Sequence, residues 1–210
     1  MKRIPPVGQF IDVANWRASV FEAFGPEARI DFERLQEFAA SLGTPVVAQA
    51  FCVSQGAGGG YGFFHYLRGL GYHVDITPLK TLPDGTRKGN VDPLLSFCIS
   101  EALSQHGLRS LILGTGDIDF LPVVEILTHR GIEVVVIGPS PRHTASELMF
   151  AATRFYTLSD LGLIEAPARP ERQLPGDVRD EQGFGMAGPM ERPIPLASYN
   201  GLAAATGHSG

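Results

Sequence analysis

Short apolar runs rich in β-branched and aromatic residues recur along most of the chain, and segments with helical spacing separate them. These runs predict strands at residues 9–14, 45–53, 73–79, 110–113 and 132–137. Because the runs are apolar at almost every position, they are typical of parallel strands that are buried on both faces. The pattern therefore predicts an α/β fold, a three-layer α/β/α domain with helices on both sides of a mainly parallel central sheet.

Apolar residues at helical spacing predict the helices between these strands. One helix has Asp31 as its N-cap, Leu35 and Phe38 on its apolar face, and Gly43 after its last residue. Further helices are predicted around residues 63–67, from residue 92 onward and over residues 120–130.

The end of the chain differs from the rest in composition. Among 210 residues there are 25 glycines and 16 prolines, and the segment from residue 165 onward is rich in both and shows no periodicity. We expect one folded domain over residues 7–163 and a Pro/Gly-rich tail over 164–210, either disordered or bound to a protein partner.

Composition and charge exclude several classes of protein. Hydrophobic residues make up 44% of the chain and the net charge is −5, so binding to nucleic acid or membranes through bulk charge is excluded, although a local basic edge is not. Cys52 and Cys98 are too few for a disulfide framework or a four-cysteine zinc site. There is no membrane-spanning run and no signal peptide. We expect a cytoplasmic protein with no membrane partner.

Four aspartates follow or begin predicted elements in a way that indicates chemistry. Asp12 lies in the first apolar run, Asp117 and Asp119 follow the run 110–113, and Asp92 begins a helix. Loops after parallel strands meet at one edge of the sheet. These carboxylates would therefore converge if the first predicted strand and the strand at 110–113 are neighbours in the sheet. Clustered carboxylates repel one another, and a hard cation such as Mg²⁺ or Mn²⁺ would offset the repulsion.

Each carboxylate also has an ordinary structural interpretation. Asp92 and Asp119 could be N-caps, and Asp117 could be a turn residue. Asp12 is harder to explain in this way, because an acidic side chain within an apolar strand needs a partner. The combination of the four favours the metal site.

A basic group and two aromatic residues lie near these positions in the sequence. Lys80, Arg87 and Lys88 precede Asp92 and are either a solvated loop or contacts for phosphate. Tyr61 and Phe63 follow a glycine-rich segment that lacks the Walker lysine, and they either stack on bases or belong to the core.

The order of three segments resembles the NYN domain family, in the LabA-like branch of the PIN-like nuclease superfamily. They are residues 10–15 (FIDVAN), 88–92 (KGNVD) and 114–120 (GTGDIDF), and the resemblance covers about residues 8–160. It implies a PIN-like fold and a metal-dependent ribonuclease. By position, the resemblance implies that the catalytic residues, which also hold Mg²⁺ or Mn²⁺, are Asp12, Asp92, Asp117 and Asp119. It also implies that the residues in contact with RNA are Asn15, Thr115, Arg87 and Lys88.

Three positions depart from the family pattern. Cys98 stands where an acidic residue is common, Ile118 replaces a small polar residue, and Thr153 stands where an aspartate is frequent. The alternative is therefore a weak or inactive NYN-fold module that binds RNA or protein.

A dehalogenase-type phosphatase lacks support because Ala14 occupies the position of its second acidic residue. A homodimer that completes an RNA channel would suit the small basic surface.

Overall fold

A six-stranded parallel sheet forms the centre of the molecule. The computed structural model describes residues 4–54, 60–81, 87–88 and 90–165, with the backbone alone at 81, 87 and 88. The strands are β1 (Pro6–Asp12), β2 (Arg29–Ile30), β3 (Thr44–Ser54), β4 (His73–Pro78), β5 (Lys80–Thr81), β6 (Arg87–Lys88), β7 (Ser110–Gly114), β8 (Glu133–Gly138), β9 (Arg154–Thr157) and β10 (Ile164–Glu165). The central sheet has the order β4-β3-β1-β7-β8-β9, and two short antiparallel pairs join β10 to β2 and β5 to β6.

Helices cover both faces of this sheet, as the apolar pattern predicts. They are α1 (Val13–Phe24), α2 (Phe32–Leu42), α3 (Tyr61–Gly69), α4 (Asp92–His106), α5 (Leu121–His129) and α6 (Ser146–Ala151). The buried residues of α1, α2 and α3 form one core cluster, and those of α4, α5 and α6 form the other. Neighbouring residues of β1 divide between them: Phe10 belongs to the second cluster and Ile11 to the first. The predicted α/β/α fold is confirmed.

Helix α1 is the main element that the sequence pattern does not predict. The apolar run of β1 continues into Val13 and Ala14, so the strand was expected to reach residue 14, but it ends at Asp12. The Asp12 carboxylate accepts the backbone N–H of Asn15 at 3.0 Å and starts the helix. Helix α1 then buries Trp16, whose indole N–H donates to the carbonyl of Ile137 at 3.0 Å.

The direction of the connections reverses between β1 and β7. The chain passes from β1 to β3 through α1 and α2 on one face, and from β4 to β7 through α4 on the other face. Ile11 is paired with Gly114, so both strands end at the same edge. Such a reversal opens a crevice at the carboxyl ends of the strands, where α/β proteins bind their ligands.

The described chain ends at β10, whose Ile164 pairs with Ile30 of β2. Most of the predicted tail, residues 166–210, lies outside the described residues. Within the described part of the chain, no helix combines the length and the apolar character needed to cross a membrane.

Candidate metal centre

Three carboxylates from two separate segments meet at the crevice between β1 and β7. One oxygen each from Asp92, Asp117 and Asp119 lies within 4.8 Å of the other two. Asp92 comes from the first turn of α4, whereas Asp117 and Asp119 come from the turn that follows β7. Asp92 and Asp117 are half-buried and Asp119 is exposed, so the group is open to solvent on one side.

Asp12 lies deeper than these three and is 4% exposed. Alternate residues of a strand share a face, so Asp12 lies on the same side as Phe10, which is the side of α4. The pKa of Asp12 is raised to about 6, mainly by burial and also by the negative charges of Asp92 and Asp117, while the hydrogen bond from the Asn15 N–H opposes the rise. Asp12 does not belong to the group of carboxylates within 4.8 Å of one another, and what links it to Asp92 and Asp117 is an electrostatic interaction.

Hydrogen bonds fix the shape of the turn that carries two of the carboxylates. The Asp117 carboxylate accepts the N–H of Asp119 at 3.0 Å, and the Thr115 hydroxyl accepts the N–H of Asp117 at 3.2 Å. From α1, the Asn15 side-chain oxygen accepts the N–H of Gly116 at 2.9 Å. Residues 114–119, the acidic turn, are thus tied to the first turn of α1.

Close packing fixes the other side of the acidic turn. A Cβ atom on Gly116 would lie 1.9 Å from the carbonyl oxygen of His143. The N–H of Ala145 donates to the Gly116 carbonyl at 3.0 Å. Sequence reasoning missed this contact, and the only local signal was a glycine directly before Asp117.

Two of the capping interpretations are wrong. Val91, not Asp92, is the N-cap of α4, and the N–H of Asp92 donates to the side-chain oxygen of Asn90 at 2.9 Å. Phe120, not Asp119, is the N-cap of α5. The turn interpretation of Asp117 is confirmed, since its side chain caps the short 3-10 helix Ile118–Phe120 while also belonging to the acidic group.

The residues predicted to contact RNA have different positions in the structure. Asn15 is half-buried and holds the acidic turn. Thr115 is fully buried, which favours a role in shaping the turn, and its contact with substrate stays a prediction. In the β5–β6 pair, Lys80 lies opposite Lys88. The side chains of Arg87 and Lys88 lie outside the described residues, so their contact with phosphate stays a prediction.

The three departures from the family pattern differ in their relation to the site. Cys98 lies on the buried side of α4, where it is 8% exposed and packs in the core. Ile118, between the two turn carboxylates in the sequence, is 42% exposed. The Thr153 hydroxyl accepts the N–H of Val134 at 3.1 Å, near the start of β8. That is the amino edge of the sheet, opposite to the acidic turn, so Thr153 does not belong to the carboxylate group.

The molecule is thus a parallel α/β/α domain with a group of carboxylates at its topological reversal. The chain matches the family model of the NYN domain over residues 6–160 and belongs to that family, in agreement with the PIN-like superfamily placement. This membership argues against the dehalogenase-type phosphatase.

The fold is shared with a protein of unknown function from Vibrio parahaemolyticus, known from a crystal structure. The two chains are 26% identical and superpose with a TM-score of 0.67 over 77% of this chain and 97% of the other. A comparison with curated proteins gives no match.

Proposed function

We propose that this protein is a metal-dependent ribonuclease that hydrolyses RNA phosphodiester bonds at the site formed by Asp12, Asp92, Asp117 and Asp119. The observation that carries the proposal is the approach of three carboxylates from two separate segments to within 4.8 Å of one another. Membership of the NYN family supports it, because the family has a nuclease-type fold.

The chemistry of the donor set fits a hard divalent cation. All four side chains offer carboxylate oxygens, which are the ligands that Mg²⁺ and Mn²⁺ prefer. Burial is the main cause of the raised pKa of Asp12, and the charges of Asp92 and Asp117 add to it. A cation among the carboxylates would relieve the repulsion between these charges. The four carboxylates suit Mg²⁺ and Mn²⁺ equally.

Different residues of the site would have different tasks. A bound divalent ion supplies an activated water and neutralises charge on the phosphodiester. Asp92, Asp117 and Asp119 would hold the ion at the open side, where a phosphate can approach, and Asp12 would hold it from below. Asn15 and Thr115 would keep the acidic turn in place, because both accept its backbone N–H groups.

The proposal is tested by incubating the pure protein with labelled single-stranded RNA and Mn²⁺, with and without a chelator. We expect cleavage that the chelator abolishes. The double variant Asp12→Asn, Asp117→Asn should lose cleavage but keep its cooperative thermal unfolding. Glu37→Gln, at an exposed position of α2 on the other face, is the matched control and should cleave normally. Undiminished cleavage by the double variant would disprove the site.

One observation favours a second candidate, an RNA-binding module without turnover. Ile118 places an apolar side chain that is 42% exposed between the two turn carboxylates, and it adds nothing to the polar surroundings of an ion. RNA binding that is indifferent to chelator, with no cleavage under any metal, would establish the module in place of the enzyme.

A further inference from the structure

A histidine outside the carboxylate group lies in the loop that packs against the acidic turn. The β8–α6 loop, residues 139–145, contains the short 3-10 helix Pro141–His143. The backbone oxygen of His143 is the atom that leaves no room for a side chain at Gly116, and the N–H of Ala145 donates to the Gly116 carbonyl at 3.0 Å. A shift of this loop would therefore shift the acidic turn as well.

The side chain of His143 is 17% exposed and lies between partners from two different elements. The Ser140 hydroxyl is 2.7 Å from Nδ1, and the same oxygen accepts the backbone N–H of His143 at 3.3 Å. A carboxylate oxygen of Glu22, in α1, is 3.4 Å from Nε2. This nitrogen is buried from solvent and has no hydrogen-bond partner among the described residues. The ring thus connects the β8–α6 loop to α1.

The two contacts of the ring assign the hydrogen of the neutral imidazole to Nε2. With the hydrogen there, Nδ1 accepts from the Ser140 hydroxyl and the Nε2–H faces the Glu22 carboxylate. With the hydrogen on Nδ1, the lone pair of Nε2 would face a negatively charged oxygen at a position that water does not reach. The contact between His143 and Glu22 is therefore attractive.

Helix α1 also reaches the acidic turn directly, through Asn15. The Asn15 side-chain oxygen accepts the N–H of Gly116 at 2.9 Å. Glu22 follows Asn15 by nearly two turns of a helix with about 3.6 residues per turn, so the two residues lie on the same face of α1. This face therefore holds the acidic turn once through Asn15 and a second time through His143.

We propose that His143 is a positioning residue for the candidate metal centre. Its imidazole, held between Ser140 and Glu22, fixes the β8–α6 loop against Gly116 and thereby keeps the acidic turn in the shape that binds a divalent ion. The part of the proposal that concerns the ion rests on the ribonuclease function proposed above. The hold of His143 on the turn does not require an ion and can be measured separately.

The first test measures amide hydrogen exchange by NMR in the full chain without metal. His143→Ala and Glu22→Ala should each make the Gly116 N–H exchange about tenfold faster, because local opening of the turn becomes easier. Amides in the middle of β7 should keep their rates. His65→Ala and Glu37→Ala, at exposed positions of α3 and α2, are the matched controls and should leave the exchange of Gly116 unchanged.

The second test measures Mn²⁺ affinity by calorimetric titration at a temperature at which every variant is folded. His143→Ala should weaken Mn²⁺ binding about tenfold, the lower end of the usual effect of losing an outer partner of a metal ligand. His143→Gln should restore the affinity, because its amide nitrogen takes the place of Nε2 beside Glu22. His143→Asn is shorter and reaches only Ser140, so it should not restore the affinity.

Two results would overturn the proposal. One is unchanged exchange of the Gly116 N–H in both His143→Ala and Glu22→Ala. The other is a Mn²⁺ affinity that is the same for His143→Ala and the unmodified chain, since a histidine that only stabilises the fold would lower the melting temperature and leave the affinity as it is. Faster exchange at Gly116, in a protein whose unmodified chain neither binds Mn²⁺ nor cleaves RNA, supports the hold on the turn and overturns the ribonuclease function.

Discussion

At the scale of single residues, Asp12 has two roles that oppose each other energetically. As the N-cap of α1 it stabilises the start of the helix. As a buried carboxylate close to Asp92 and Asp117 it is costly to ionise, and its pKa rises from 3.8 to about 6. A stability cost at a functional position is typical of sites built to bind a charged ligand.

The raised pKa of Asp12 predicts a pH-dependent gain from Asp12→Asn. The pKa of Asp12 is higher in the folded state than in the unfolded state, so its protonated carboxyl stabilises the fold relative to the ionised one. This stabilisation is complete below about pH 3.8 and is lost as the pH rises through about 6. Asparagine keeps the capping oxygen without the charge. In metal-free buffer at pH 7.5 the variant should be more stable by about 3 kcal/mol, measured by urea unfolding. The advantage should almost vanish near pH 4, and a gain equal at both pH values would contradict this account.

Asn15 is a positioning residue whose loss should weaken the acidic turn. Asn15→Ala removes the acceptor for the Gly116 N–H, a bond that joins residues 101 positions apart in the sequence. An unsatisfied backbone N–H costs about 1–3 kcal/mol, so the free energy of unfolding should fall by that amount. Mn²⁺ affinity, measured by calorimetric titration, should fall as well. Unchanged Mn²⁺ affinity in a destabilised variant would limit Asn15 to a structural role.

At the scale of elements, the acidic turn depends on steric fit as much as on hydrogen bonds. The turn after β7 passes so close to the segment after β8 that residue 116 has no room for a side chain. The backbone of Gly116 receives a hydrogen bond from Ala145 on one side and donates one to Asn15 on the other. The first turn of α1 and the segment after β8 thereby fix the backbone of the turn that carries Asp117 and Asp119.

Gly116→Ala tests this fit. The added Cβ would lie 1.9 Å from backbone oxygen of His143, which cannot move as a side chain can. We expect a loss of about 2 kcal/mol or more in stability together with loss of RNA cleavage. Gly69→Ala in α3, where nothing lies within 4 Å of an added Cβ, is the control and should be neutral or slightly stabilising. Wild-type stability of Gly116→Ala would show that the turn is free to shift.

At the scale of the whole molecule, the order of the strands brings the carboxylates together. Asp12 ends β1, and Asp117 and Asp119 follow β7. Asp92 begins α4, the helix that connects β4, at one edge of the sheet, to β7 in its centre. An ion held by Asp12, Asp92 and Asp117 would therefore join elements that are distant in the chain. Binding to the folded state alone stabilises that state.

Mn²⁺ should consequently raise the melting temperature of the protein. At an ion concentration 100 times the dissociation constant the expected stabilisation is about 2.7 kcal/mol, which a chelator should reverse. Asp92→Asn, Asp117→Asn should abolish the effect, whereas Glu37→Gln should retain it, as read by scanning calorimetry. Equal stabilisation of both variants would locate the ion elsewhere.

The sequence alone determined five of the six strands of the central sheet and the layered fold, because a parallel strand buried on both faces is apolar at nearly every position. The edge strand β9, which is only partly buried, was not predicted. It also determined which aspartates lie at the ends of elements, since that depends only on local order along the chain. Helix α1 was not predicted because the apolar run of β1 continues into it. The boundary between strand and helix is marked only by the hydrogen bond from the Asn15 N–H to the Asp12 carboxylate.

The tertiary structure decided which of these residues share a site. It brought Asp92 to Asp117, buried Thr115 and placed Thr153 at the opposite edge of the sheet. None of this follows from spacing along the chain. Local sequence sets the period of an element, but the neighbours of a strand depend on which face each connection crosses, and that choice is made by the packing of all the elements together.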